Sequence, residues 1–189
     1  PLCNPVLALA KRQRLREAER PDSLVIPSPS EIAAVVRELQ SDQGHEGVAL
    51  LVVSAVATGL RLDELRHLTA EMIEPQCVRL RPEGGPAHTA WLSKGKRERV
   101  IPVPAAVSEI ARKFMQWRDA EKWRIAENWA SHVLHAACVR AGVPVFGFHD
   151  LRRTFCTEAV RHNVPLNILR EWMAHRSIRT TQRYIGRYR

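Results

Sequence analysis

Apolar residues recur at helical spacing along most of this chain, and strand-like alternation is confined to one stretch. Ser28-Pro29-Ser30-Glu31 offers an N-cap, and the helix it opens runs to about Gln40, with Ile32, Val35, Val36 and Leu39 on one stripe. After a polar loop from Ser41 to Gly44, Val48 to Ala57 is almost wholly apolar, which predicts a central, buried helix ended by Gly59. Arg61 to Leu68 predicts a short helix with Leu62, Leu65 and Leu68 facing inward. The strand signal lies between Cys77 and Val103. Cys77–Arg81 alternates, Pro82 to Pro86 turns, and His88–Leu92 is a second short strand; Ser93–Lys96 turns tightly into a third strand over Arg97–Val103. Helices resume over Pro104–Arg118 and Glu127–Ala141, the latter closed by Gly142. Three short helices follow, at about His149–His162, Pro165–His175 and Ser177–Ile185; Asn163 and Pro165 punctuate the first boundary, and Ser177 can cap the last helix. The pattern predicts a mainly α fold carrying one small three-stranded antiparallel sheet, with no internal repeat.

Composition narrows the function classes. A length of 189 residues suits one domain with a proper core, and 45% apolar content is that of a soluble globular protein. No apolar run approaches the ~18 residues a membrane span needs, and no signal peptide opens the chain, so a cytoplasmic protein is expected. The four cysteines (Cys3, Cys77, Cys138, Cys156) are scattered, which disfavours a metal site or a disulfide framework. Net charge is +9 and its excess sits at the two ends. In residues 146–189 every basic residue besides histidine is arginine, and guanidinium forks match phosphate oxygens two at a time. Residues 1–21, with Lys11-Arg12-Gln13-Arg14-Leu15-Arg16, read as a basic linker or arm, and 22–189 as the folded domain.

Four segments could carry chemistry. In Thr58-Gly59-Leu60-Arg61-Leu62-Asp63-Glu64-Leu65, Arg61 opens a helix directly after a buried one, so its head emerges at the rim of the core with Glu64 to brace it. In Ser93-Lys94-Gly95-Lys96-Arg97-Glu98-Arg99, Gly95 permits a turn and Lys94 projects from its tip, where it could protonate a leaving oxygen. In Phe148-His149-Asp150-Leu151-Arg152-Arg153, His149 and Arg152 share a helix face, and the helix dipole disfavours protonation of His149. Finally, Tyr184 lies nine residues after His175 in an arginine-studded tail, where a phenol oxygen could attack a phosphodiester. The spacing of His132 and His135 is metal-like, but no acid or cysteine completes a site, and both read as structural. The five tryptophans read as packing, and there is no Gly-rich phosphate loop for ATP.

Taken in order, Thr-Gly-Leu-Arg-x-x-Glu-Leu, Lys-Gly-x-x-x-Arg, His-x-Leu-Arg and the His-to-Tyr step resemble the tyrosine recombinase (phage integrase) family, from about Ile26 to Ile185. The resemblance implies that Arg61, Lys94, His149, Arg152, His175 and the nucleophile Tyr184 form the catalytic set, with Glu64 in support. There are departures: Arg153 stands where the family often has a second His, Asn163 replaces a frequent Gly, and Ala174 replaces the usual Gly before His175. An N-terminal core-DNA-binding domain usual in the family is not evident, so the chain reads as an isolated catalytic domain.

The implied reaction cleaves and rejoins DNA through a 3′-phosphotyrosyl intermediate with no cofactor, metal or ATP. His149 takes the phenol proton, Arg61 and Arg152 clamp the phosphorane, His175 adds a donor, and Lys94 protonates the leaving 5′-oxygen. Lys96, Arg97, Arg153, Arg176, Arg179 and Arg183 are expected to follow the backbone of double-stranded DNA. The resemblance further implies a homotetramer on DNA for the full-length protein, a monomer in solution for this chain, and a bacterial or phage origin. Two other readings stand beside it: a catalytically idle DNA-binding module on the same scaffold, and a topoisomerase using the same chemistry.

Overall fold

A computed structural model describes residues 25–42, 44–81, 98–120, 129–175 and 177. Helix α1 (Pro29–Ser41) begins with the capping box its sequence offers. The Ser28 amide donates to Glu31 Oε2 at 2.7 Å and the Glu31 amide donates to Ser28 Oγ at 3.3 Å. Its stripe of Ile32, Val35 and Leu39 is buried against α2 (Glu46–Thr58), the central helix. Nearly all of α2 is enclosed, because it also packs on α4 (Ala105–Ala120) and α6 (Phe148–Arg161). One contact explains Gly47: a Cβ there would lie 2.0 Å from the Trp117 ring, so the helix comes close to α4 only without a side chain.

Gly59 ends α2 with φ of 65°, the left-handed conformation glycine adopts freely. The chain then turns directly into α3 (Leu62–Arg66), with Leu65 and Leu68 buried and Leu62 at the edge of the core. A short 3₁₀ turn (Ala70–Met72) leads to the sheet.

Among the described residues the sheet is three-stranded and antiparallel, and it includes a strand that the sequence pattern did not mark. Its strands are β1 (Ile73–Glu74), β2 (Cys77–Leu80) and β3 (Arg99–Pro102), in the order β1-β2-β3. Val78 pairs with Ile101 and Leu80 with Arg99, so the first and last predicted strands are direct neighbours. The predicted strand at His88–Leu92 lies outside the described residues. Two residues are too few for β1 to show alternation, so nothing in the pattern marks it. In β3 the residues alternate in burial, and Arg99 falls on the same inward side as Ile101.

Helix α5 (Trp129–Arg140) packs on α1 and closes at Gly142, whose φ is 66°. After α6, Asn163 supplies a left-handed turn (φ 59°) into α7 (Leu166–Trp172). Cys156, Ala159, Leu169 and Met173 form a second small core between α6 and α7, with Phe155 and Trp172 packed on it. The predicted final helix at Ser177–Ile185 lies outside the described residues, apart from Ser177. Trp117, Trp129 and Trp172 all pack against rings, their partners being Phe114, His45 and Phe155. No helix among the described residues is long and apolar enough to cross a membrane.

Candidate functional site

The turn after Gly59 places Arg61 at the N-terminus of α3 and Glu64 one turn in. Glu64 reaches back to accept from the Arg61 backbone N–H at 2.8 Å and from its Nη1 at 2.9 Å. The brace predicted from spacing is therefore present, and the exposures divide as expected, with the Arg61 side chain 36% exposed and Glu64 1%. Arg61 opens to the rim while its partner is closed in.

Glu64 holds more than Arg61. The Arg99 Nη2 lies 2.6 Å from Glu64 Oε2, and the Arg152 Nη1 lies 3.8 Å from the same oxygen. Three guanidiniums on one carboxylate leave an excess of two positive charges. Burial pushes the Glu64 pKa up, but Arg99, the Arg61 amide and Arg152 outweigh it and hold the carboxyl below its ordinary value.

Arg152 comes from the buried face of α6 and is 1% exposed. Its Nη1 donates to the Gly59 carbonyl at 2.6 Å and its Nη2 to the Met173 carbonyl, joining the end of α2 to the end of α7. Burial and the charge of Arg61 lower its pKa to about 10, which leaves it charged at neutral pH.

His175 follows α7, and its Nε2 lies 3.5 Å from Arg152 Nη2. Burial, then Arg152 and Arg61, lower its pKa to about 4, so the ring is neutral at pH 7. The nitrogen facing a guanidinium acts as acceptor, which assigns the ring proton to Nδ1. The residue before it, Ala174, has φ of 48°, the left-handed conformation that a side chain disfavours.

His149 sits in the first turn of α6, open to solvent on one side and crowded by protein on the other. Its pKa is lowered, as the helix position predicts, but the causes differ: partial burial first, then the charges of Arg153 and Arg152. Arg153 itself donates to Asp150 Oδ1 at 2.7 Å, and Asp150 caps α6 by accepting from the Gly147 amide at 2.9 Å. One arm of Arg153 is thus engaged within the helix.

The structure therefore joins Arg61, Glu64, Arg152 and His175 in one cluster, with His149 within its electrostatic reach. Lys94, Lys96, Arg97, Arg176, Arg179, Arg183 and Tyr184 lie outside the described residues. Arg99 closes the Lys-Gly-x-x-x-Arg motif, but the sequence reading gave it no role in the site. Its signal was available: it shares strand parity with Ile101 and Val103, a charge on an apolar face. Among the described residues, no group of three or more His, Cys, Asp or Glu residues is placed to hold a metal ion. His132 and His135 are both exposed on α5.

Comparison with known proteins gives this cluster a context. A sequence model of the phage integrase family matches residues 28–188. The tyrosine recombinase XerA of Pyrococcus furiosus is 26% identical over 185 residues, covering 91% of this chain and 61% of XerA. Among solved structures, a XerA recombinase superposes with a TM-score of 0.66 at 19% identity, covering 88% of this chain and 60% of that one. The Tn1549 transposon integrase, in complex with transposon right-end DNA, superposes with a TM-score of 0.67 at 18% identity, covering 90% and 64%. At these identities the superpositions speak for a shared fold. The chain spans about three fifths of the length of these relatives.

Proposed function

The chain belongs to the phage integrase family, and from that membership we propose that it is the catalytic domain of a site-specific DNA recombinase. The observation that carries the proposal is the Glu64-centred cluster: an excess of positive charge, one arginine at the rim and one beneath, beside two histidines with lowered pKa. Such a site suits a phosphodiester gaining negative charge in its transition state.

In this reading Tyr184 Oη attacks the scissile phosphorus and the bond to the 5′-oxygen breaks. The DNA is left joined to the protein through a 3′-phosphotyrosyl linkage, and the step needs no metal, ATP or other cofactor. A free phenol with pKa ~10 is only about a thousandth ionised at pH 7, so a base must take its proton. His149 is the group for this, since its lowered pKa keeps the ring unprotonated at neutral pH. Arg61 and Arg152 bind the equatorial oxygens, and His175 donates from its neutral ring. Lys94 gives its proton to the leaving 5′-oxygen. A 5′-hydroxyl from a second strand then reverses the sequence. Arg152 is enclosed in this state, so its engagement requires the phosphate to reach its remaining N–H groups past His175.

Lys96, Arg97, Arg153, Arg176, Arg179 and Arg183 are assigned to the backbone of double-stranded DNA. The protein is placed with DNA in the cytoplasm, the full-length form as a homotetramer on its site and this chain as a monomer in solution. The test is a pool of nicked duplexes of randomised sequence, each able to release its short cleaved end. Incubation should give an SDS-resistant protein–DNA adduct that Tyr184→Phe abolishes. Salt-sensitive binding without any adduct would replace this reading with an idle DNA-binding module.

A further inference from the structure

We propose that Arg99 is a positioning residue for this site, holding the Glu64 carboxylate from the buried face of β3 so that Glu64 can brace Arg61 and face Arg152. The claim rests on the reading of Arg61 and Arg152 as phosphate ligands. Its basis is geometric. Arg99 is 7% exposed, on the inward side of a strand where an apolar residue would be ordinary. A guanidinium there is costly unless something compensates it. The compensation is the 2.6 Å contact of Nη2 with Glu64 Oε2. Nη2 is within hydrogen-bond distance but poorly aligned, so the charge of Arg99 acts on Glu64 more strongly than its hydrogen bond does.

That arrangement divides the carboxylate. Oε1 serves the Arg61 head, while Oε2 takes the Arg61 backbone N–H and the charges of Arg99 and Arg152. The groups facing Glu64 are thus Arg61 on its own helix, Arg99 from β3 and Arg152 from α6, with His175 beyond Arg152. Burial is the largest influence on the Glu64 carboxyl and Arg99 the largest that opposes it, so without Arg99 the balance moves toward the neutral acid even with Arg61 and Arg152 still in place. A protonated Glu64 no longer balances Arg61 or Arg152. Arg99 thereby acts on the phosphate ligands without touching the phosphate.

The experiment uses the full chain with Arg99→Gln, Arg99→Lys, Glu64→Gln and the double Gln variant, each checked for folding by circular dichroism. Adduct formation on the nicked pool is followed against pH, and the Glu64 side-chain carboxyl is titrated by ¹³C NMR. In Arg99→Gln the Glu64 titration should move upward. Adduct formation should fall severalfold on the acid side of neutrality, where the raised carboxyl takes up its proton, and recover toward the wild-type rate as pH rises. Arg99→Lys should restore the rate to within about threefold by keeping the cation. If Arg99→Gln does not fold, the double variant decides, since it removes both partners of the 2.6 Å contact and leaves no Glu64 carboxylate unmatched. It should match Glu64→Gln alone at every pH. An unmoved Glu64 titration, a loss independent of pH, a lysine variant as slow as the glutamine one, or a double variant slower than Glu64→Gln would each overturn the proposal. Absence of any wild-type adduct would overturn the recombinase reading instead, and the Glu64 titration would still decide the role of Arg99.

Discussion

The small sheet carries an arginine–glutamate cluster on each face. On the outer face Arg79 meets Glu74 at 2.6 Å and Glu98 at 3.3 Å, with the three side chains 30%, 39% and 54% exposed. On the inner face Arg99 meets Glu64 at the same 2.6 Å, with side chains 5% and 1% exposed. The contacts are equal in length and unlike in consequence. Water screens the outer pair and solvates either partner left alone, so its loss matters little. Within the protein, removing one partner leaves the others charged, buried and uncompensated. Environment, not separation, sets the weight of such a pair.

The strongest challenge to that contrast is Glu64→Ala. It strands Arg99 and Arg152 together and should lower unfolding free energy by about 3–5 kcal/mol in urea denaturation. Glu74→Ala, the matching change outside, should leave the curve unmoved within error, and comparable losses at the two sites would erase the distinction. Next comes Gly59→Ala. A Cβ there would fall 2.5 Å from the Phe155 ring and 2.6 Å from the Met173 methyl, at a φ that disfavours any side chain. A cost of about 1–3 kcal/mol is expected, measured the same way, together with displacement of the Gly59 carbonyl from Arg152.

Acid should separate the two faces. His175 has a folded-state pKa of about 4 against an ordinary 6.5, so the unfolded chain takes up its proton first as pH falls. Its stabilising contribution is complete above about 6.5 and is lost as pH drops from there to about 4. The outer Glu74 is held at about 2 against 4.5 by hydrogen bonds from Arg79 and Cys77, but it stands in water, so what it contributes above its ordinary value, lost as pH falls from there toward 2, is screened and too small to move the melts. Thermal melts across this range should decline in the upper window, and His175→Asn should flatten that decline. The smallest effect is a gain. Ala174→Gly relieves the left-handed alanine next to His175 and should raise stability by about 1 kcal/mol. No gain would show that the alanine methyl makes compensating contacts.

Local features were legible because sequence spacing reports neighbours within an element. The Ser28 cap, the break at Gly59, the left-handed Asn163 and the Arg61–Glu64 brace all act over four residues or fewer. What spacing does not report is convergence between elements. Arg99 and Glu64 meet only because β3 lies beside β2 with Leu80 opposite Arg99, a register set by two separate segments. The lowered pKa of His149 illustrates the same limit: its helix position gives the direction, while the causes, burial and the arginines Arg153 and Arg152, follow from tertiary packing. The strand Ile73–Glu74 was missed for want of length. The readings of Lys94, from its turn, and of Tyr184, from its basic tail, were joined by the family resemblance, and both residues fall outside the described ones.

Arg152 reaches a carbonyl 93 residues upstream and another 21 residues downstream, so its side chain fastens two distant parts of the chain. Consider a lineage in which the proposed chemistry of this cluster is no longer selected. Arg152 would still be retained, because losing it would loosen the fold before it affected any chemistry, and Glu64 and Arg99 would be retained with it. His149 stands open to solvent and owes the fold far less. In descendants of such a protein, decay of function would be written first at the rim and last at the centre. If the proposed function holds, the exposed histidine is therefore a better record of it than the buried arginine.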